Sequence, residues 1–321
     1  MILAGDIGAT KTHLALFDDE KIVVEEKFLS HEFKTLSQIV YQFLEKHKQK
    51  VGRACFGIAG PVEDGRCRAT NLPWVVDTKD LHKDLQIEKV FLINDLEATA
   101  IGLTCLEPGE FATLNVGNKQ KGQGALIAAG TGLGEAGLLW EGDKLKALPS
   151  EGGHADFAPR NEEEIELWHF LRPRFEHISY ERLVSGPGIY NLYRFLIESG
   201  KEKESAAIKE RLLKEDPPRV ITDAALKKSC KACVHTMDWF VSLYGAEAGN
   251  LALKFLALHG VYVGGGIAPK ILHLLKKETF MRAFCNKGRF STLLSNIPVH
   301  VVLNENTALL GAAAYGRSAE R

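Results

Sequence analysis

The chain has 321 residues, 45% of them hydrophobic and 25% charged, with 30 glycines and 11 prolines, which places it in the globular range and makes two domains more natural than one core. Forty basic residues against 41 acidic ones leave a formal net charge of −1, which excludes the electrostatic footprint of a nucleic-acid binder and favours a small-molecule ligand. No run of about 18 apolar residues occurs, so neither a membrane-spanning helix nor a membrane partner is expected.

The opening apolar run is interrupted at Asp6, before a charged n-region and cleavage site could be assembled, so no signal peptide is expected. Strand-like runs follow at residues 2–4, 14–17, 54–58, 90–93, 125–128, 136–140, 261–263 and 299–303. They alternate with amphipathic stretches such as Leu36, Ile39, Val40, Phe43 and Leu44 after Thr35, and that alternation predicts an α/β protein. The segments "ILAGDIGATKTHLALFDDEK" and "LIAAGTGLGEAGLLWEGDK" share the order strand, Gly/Thr turn, strand, polar turn. They are either two independent hairpins or the mark of a duplicated α/β fold. Residues 201–219 are highly charged and end in "EDPPR", where paired prolines are expected to stop a helix on the surface. The six cysteines, Cys55, Cys67, Cys105, Cys230, Cys233 and Cys285, are scattered as in a protein of a reducing cytosol. Cys230 and Cys233 share a CxxC spacing without a second Cys/His pair at zinc-finger distance, so they are expected as thiols on a helix face.

Several short segments carry residue types suited to chemistry. "GDIGATK", residues 5–11, forms a tight bend whose backbone N–H groups can hold phosphate oxygens, with Asp6 placed to orient a Mg²⁺ ion through its water shell. "GTGLG", residues 130–134, is a second such bend without an acid. "FLINDLEATA" sets Asn94 and Asp95 where a strand gives way to a helix, a position that suits a helix N-cap and equally a catalytic carboxylate at the carboxyl edge of a sheet. In "PSEGGHADFAP", glycines beside Glu151 and His154 let the backbone approach a polyhydroxy ligand; a zinc site is the rival, without the helical spacing or second His it needs. "YERLVSGPG" offers Glu181, and "GVYVGGGIAPK" a strand, three glycines and an expected helix start at Pro269.

The order of "GDIGATK", "GIAGPV", "TNLPW", "INDLEATA", "GTGLG", "EGGHADFAP", "ERLVSGPG", "GNLAL" and "GGGIAPK" resembles that of the bacterial glucokinases, the hexokinase-like, non-repressor group of the sugar kinase/heat-shock ATPase/actin superfamily, nearly end to end. The resemblance implies a two-lobed actin-like/ribonuclease H-like ATPase fold with a central cleft, a small α/β domain at 1–105 plus 304–321 and a large one at 106–303. It implies ATP-dependent phosphorylation of glucose to glucose 6-phosphate at the entry of glycolysis, with ATP and Mg²⁺ as cofactors, in a cytoplasmic homodimer. A kinase for another hexose or an amino sugar, or a non-catalytic sugar sensor of the same fold, are the alternatives. Position by position, Asp95 resembles the family's catalytic base, and Asn71, Asn94, Glu151, His154 and Glu181 its sugar ligands. Gly5, Asp6, Gly8, Ala9, Thr10 and Lys11, with Gly130, Thr131 and Gly132, resemble the two phosphate loops, while Gly264, Gly265 and Gly266 fall near the adenosine. The pattern departs at Ala9, where the family usually has a second adjacent glycine, and the Cys-rich zinc motif of the repressor/open-reading-frame/kinase group is absent.

Overall fold

The structure, a computed structural model, describes residues 1–69, 72–142 and 144–319; Asn71, expected in the sugar pocket, lies outside the described residues. Two compact units emerge from the contacts within the chain. One comprises residues 1–108, 138–149 and the chain from 304 onward, and the other residues 109–137 and 150–303. Among the described residues no helix is long and apolar enough to cross a membrane.

The chain opens with β1 (Ile2–Ile7), β2 (Lys11–Asp18) and β3 (Lys21–Leu29), consecutive antiparallel neighbours. The ladder between β1 and β2 continues to Asp6 opposite His13 and Ile7 opposite Thr12. Both strands are therefore longer than their apolar runs, because ladder bonds are made by the main chain whatever the side chain. Thr35 caps α1 (Leu36–His47), which buries Leu36, Ile39, Val40 and Phe43, the expected amphipathic face. After β4 (Arg53–Ile58), the short strands β5 (Val62–Glu63), β6 (Arg66–Arg68) and β7 (Val75–Asp77) make a small antiparallel sheet, and α2 (Thr78–Leu85) leads to β8 (Lys89–Asn94) and α3 (Asp95–Gly102). The main sheet of this unit has the order β3-β2-β1-β4-β8, with β1, β4 and β8 parallel.

The second sheet is built from β9 (Phe111–Asn115), β10 (Gly124–Ala129), β11 (Leu133–Glu141), β12 (Lys144–Ser150), β13 (Gly260–Gly264) and β14 (Val299–Val302). Its order is β12-β11-β10-β13-β14-β9, with β10, β13 and β14 parallel and β9 antiparallel at one edge. Laying β10, β11 and β12 on β1, β2 and β3, with β13 on β4 and β14 on β8, makes the two orders coincide. That is what a duplicated fold requires and independent hairpins do not. Between β12 and β13 run α4 (Glu162–Leu171), α5 (Gly186–Glu198), α6 (Ala206–Leu212), α7 (Pro217–Leu226) and the 24-residue α8 (Lys231–Lys254); α9 (Leu272–Leu275), α10 (Glu278–Cys285) and α11 (Ser291–Ser295) precede β14, and α12 (Thr307–Ser318) follows it.

Three local expectations are corrected. Pro217 and Pro218 open α7 instead of ending a helix, because in the first turn of a helix the missing N–H has no partner to lose. The chain after the triple glycine turns before α9 begins at Leu272, three residues past Pro269. Cys230 is the N-cap of α8 and not a residue of its face, its sulfur accepting from Cys233 N at 3.4 Å, whereas Cys233 lies within the helix as expected; both thiols are buried.

α12 belongs to the first unit and packs against α3 at van der Waals limits. A side chain at Gly311 would overlap the Ala98 carbonyl, and one at Gly102 the Thr307 carbonyl. Gly311→Ala is therefore expected to lower stability by about 1–3 kcal/mol through overpacking, read as a lower urea midpoint. An unchanged midpoint would mean that the two helices do not meet this closely.

Candidate active site

In the first unit the bend at residues 8–10 joins β1 to β2. Gly8 N donates to Lys11 O at 3.0 Å, and Ser30 grips the bend from outside through Oγ to Gly8 O (2.8 Å) and its own N to Thr10 O (3.1 Å). Thr12 Oγ1 stands 3.0 Å from the same Ser30 oxygen. Ser30 thus holds the bend in shape, a role that nothing in the local sequence pattern announces. Ala9 is not among the non-glycine residues with positive φ, so its backbone has no need of the family's second glycine. Thr10 and Lys11 are exposed at the tip, while Gly5 is buried behind it between Phe56 and Leu14.

Asp6 sits at the end of β1, just before this bend. Its side chain keeps some contact with solvent, yet burial pushes its carboxyl up to about 7, with the charge of Asp95 adding to the rise and Lys27 opposing it. Asp95 is the first residue of α3, and its Oδ1 accepts from Leu96 N at 3.0 Å. Asn94, the last residue of β8, caps that helix: Oδ1 accepts from Leu96 N (2.9 Å) and Glu97 N (3.4 Å), while Nδ2 donates to Gly60 O at 3.0 Å. The cap and the carboxylate are separate residues. Asn94 does the structural work, and it fixes the chain so that the next side chain stands at the carboxyl end of β8.

In the second unit the bend at residues 130–132 joins β10 to β11, with Gly130 N donating to Gly132 O at 2.9 Å. Glu181 reaches this bend from the one-turn segment Tyr180–Arg182: its Oε2 accepts from Leu133 N at 3.0 Å and lies 3.8 Å from His154 Nε2. Glu151 opens the one-turn segment Gly152–His154 and is exposed, as is His154. A side chain at Gly153 would overlap the Leu133 carbonyl, so the Glu151–His154 loop lies directly on the start of β11. Glu151, His154 and Glu181 therefore gather beside the second glycine bend, three acceptors and donors on two short loops.

The triple glycine ends β13, whose neighbour in the sheet is β10. Ile267 N donates to Ala129 O at 3.2 Å, and Tyr244 OH ties the two strand ends together by donating to Gly264 O (3.2 Å) and accepting from Ala129 N (3.3 Å). Gly130, Thr131, Gly132, Gly264, Gly265 and Gly266 thus share the carboxyl ends of two adjacent parallel strands, the place where open α/β sheets bind ligands. A side chain at Gly130 or Gly266 would meet nothing within 4 Å, so internal packing does not explain these glycines. The N-terminus of α5 joins the group, with Gly186 N donating to Gly130 O at 2.8 Å and Ser185 capping the helix. Its positive end beside a glycine bend suits an anion, and "SGPG" carried that signal as a cap followed by Pro.

Known proteins match along the whole chain. A family model described as Glucokinase covers residues 3–319. A glucokinase of Nostoc sp. is 42% identical, with 98% of each chain covered. The crystal structure of a glucokinase from an Antarctic psychrotroph is 30% identical, with 99% of each chain covered and a TM-score of 0.80. A ROK family glucokinase from Streptomyces griseus, solved in complex with glucose and AMPPNP, is 22% identical, with 98% of this chain and 99% of that one covered and a TM-score of 0.70, a likeness of fold. Matched by this family model over nearly its full length and sharing the actin-like sugar-kinase fold of these structures, the chain belongs to the glucokinase family.

Proposed function

We propose that the protein transfers the γ-phosphoryl group of ATP to the 6-hydroxyl of glucose, giving ADP and glucose 6-phosphate. The observation that carries this reading is the pairing, within one unit, of a phosphate-type bend with two interacting carboxyl groups, Asp6 and Asp95. Asp95 takes the proton of the hydroxyl as its oxygen bonds to the γ-phosphorus and the bond to the β–γ bridging oxygen breaks. Glu151, His154 and Glu181 hold the remaining sugar hydroxyls, with Asn94 and Asn71 contributing at the same substrate. The bends at residues 5–11 and 130–134 take the phosphates, and residues 264–266 the adenosine. In such a reaction, holding the hydroxyl in line can contribute on the order of 7–11 kcal/mol, whereas a positioned base adds about 10²- to 10⁴-fold. Orientation outweighs the base.

A divalent cation fits Asp6. Two carboxyls interact there with Lys27 as the opposing charge, and a cation relieves what burial and Asp95 impose on Asp6. Among the described residues no group of three His, Cys, Asp or Glu side chains converges on a metal, so the fit is to a hydrated ion such as Mg²⁺ held through water. Its chemistry would be to neutralise phosphate charge. The enzyme is read as a cytoplasmic homodimer whose lobes are residues 1–105 plus 304–321 and residues 106–303, with no nucleic-acid or membrane partner.

The first test is a coupled assay of purified protein with ATP, Mg²⁺ and glucose, mannose, fructose or glucosamine; absence of turnover with glucose would overturn the reading. Asp95→Asn should leave glucose binding largely intact and lower kcat by about 10²-fold or more, since an amide cannot accept the proton. An unchanged kcat would remove Asp95 from the base role. Ala9→Gly should move the KM for ATP more than the KM for glucose; a shift confined to glucose would detach this bend from the nucleotide. Glu151→Gln should raise the glucose KM and leave that for ATP nearly unchanged. Glu181→Ala should move both, because it also releases Leu133 N at the second glycine bend. Identical profiles for the two variants would argue against this division of labour.

A further inference from the structure

Beneath the loop that carries Glu151 and His154 lies an acid that the reaction does not use. Glu135, on β11, is fully buried, and neither of its carboxyl oxygens has a hydrogen-bond donor among the described residues. A side chain at Gly152 would overlap Glu135 Oε2, so the backbone of the sugar loop rests directly on this carboxyl, where Gly152 N also donates to Ser150 Oγ at 2.9 Å. The neighbour that Glu135 faces is a second buried acid, Glu247 of α8. Glu247 is fully provided for: Lys254 Nζ reaches its Oε1 at 3.3 Å, and Asn250 Nδ2 reaches its Oε2 at 2.7 Å. Asn250 Nδ2 also donates to the hydroxyl of Tyr180, the residue before Glu181, at 3.1 Å, and its Oδ1 accepts from Lys287. Arg160 is engaged with the buried Glu164 on the same side.

Two ionised carboxylates cannot face each other in such a place without a donor between them. Glu247 has the donors, so it keeps the charge. Glu135, which has none, is the one left neutral, facing Glu247. We propose that protonated Glu135 is a positioning residue for the sugar loop, holding Gly152 at a fixed height so that Glu151 and His154 meet the hydroxyls of the hexose. Burial, followed by the charge of Glu247 and offset by Lys254, pushes its carboxyl up to about 8. The sign follows: the neutral, seated form exists below that pH, and the second charge appears above it, repelling Glu247 and unseating Gly152. The other groups that face the pair are Tyr180, Tyr244, Lys254 and Lys287, the last pulled down to about 8 by burial. All four side chains are still present in a Glu135 variant, in which only the charge of Glu135 is removed from Tyr244.

The inference rests on the proposed glucose kinase activity and is tested with the full-length enzyme by measuring kcat and the KM for glucose and for ATP between pH 6.5 and 9.5 as set by buffer, an interval of about 1.5 units on either side of that pKa. The unsubstituted enzyme should show a glucose KM that rises about tenfold through pH 8 while the ATP KM stays level. Glu135→Gln, which keeps the shape and a donor toward Glu247, should match it at pH 7 and lose the rise. Glu135→Ala should show the raised glucose KM at every pH; should it fail to fold, the Gln variant and the parent profile still decide. A Gln variant with the parent's pH dependence, or a parent glucose KM flat across pH 8, overturns the role of Glu135. Lack of glucose turnover by the parent at pH 7 instead overturns the function on which the role depends.

Discussion

The hydrogen bond from Leu133 N to the Glu181 carboxylate decides how the second unit presents its chemistry. The backbone nitrogen it satisfies closes the glycine bend after β10, and the acid it fixes belongs to the loop beside His154. A glycine bend left to itself has many conformations and a high entropic cost of ordering. Here it is tied to a carboxylate on one side and to the start of α5 through Gly186 on the other, which narrows that freedom. The same carboxylate is thereby held in place, with one of its acceptor sites taken by Leu133 N. The glycine bend at residues 130–132 and the His154 loop consequently share one side chain, so a change at Glu181 reaches both.

The repeated strand order explains why the two bends resemble each other and why they differ in chemistry. In each sheet the bend follows the strand that also pairs in parallel with the next α/β element, so in each it comes out at the carboxyl end. The first bend has an acid one strand position before it, Asp6, and a serine gripping it from β3's end. The second has neither. In their place stand Glu181 and a helix N-terminus. The acid beside the first bend suits a cation and the N-terminus of α5 beside the second suits an anion, although the backbone plan is shared.

Much of this was legible in the sequence, and the rest was not for identifiable reasons. The periodicity of Leu36, Ile39, Val40 and Phe43 gave α1 its buried face, and the change from "FLI" to "NDLEATA" marked both a cap and a carboxylate, which the structure divides between Asn94 and Asp95. Pro217 was misread because a proline stops a helix from within and starts one from its first turn; only the position in the element, which a local string does not carry, tells them apart. Ser30 and Glu135 could not have been found by pattern. Ser30 acts on Gly8 across 22 residues, and Glu135 looks like an ordinary solvent-facing acid on an alternating strand until Gly152 and Glu247 close over it. Long-range contacts of this kind are set by topology, not by neighbours in sequence.

The packing of α12 has a consequence for how the protein comes into being. Arg53 of β4 donates to the carbonyl of Gly316, 263 residues away in the chain, and Ala4, Ala15, Phe17, Cys55 and Ile93 share one apolar cluster with Leu309, Ala312 and Ala313. The sheet that carries Asp6 and leads into Asp95 leaves the ribosome early, but the face covered by α12 is open until α12 emerges. During synthesis at roughly 5–20 residues per second that face is bare for tens of seconds, while the second unit is being made and can fold on its own contacts. The nascent chain therefore passes through a long-lived half-built state with an exposed apolar surface, and it is in that state, more than in the finished enzyme, that chaperone capture and aggregation compete.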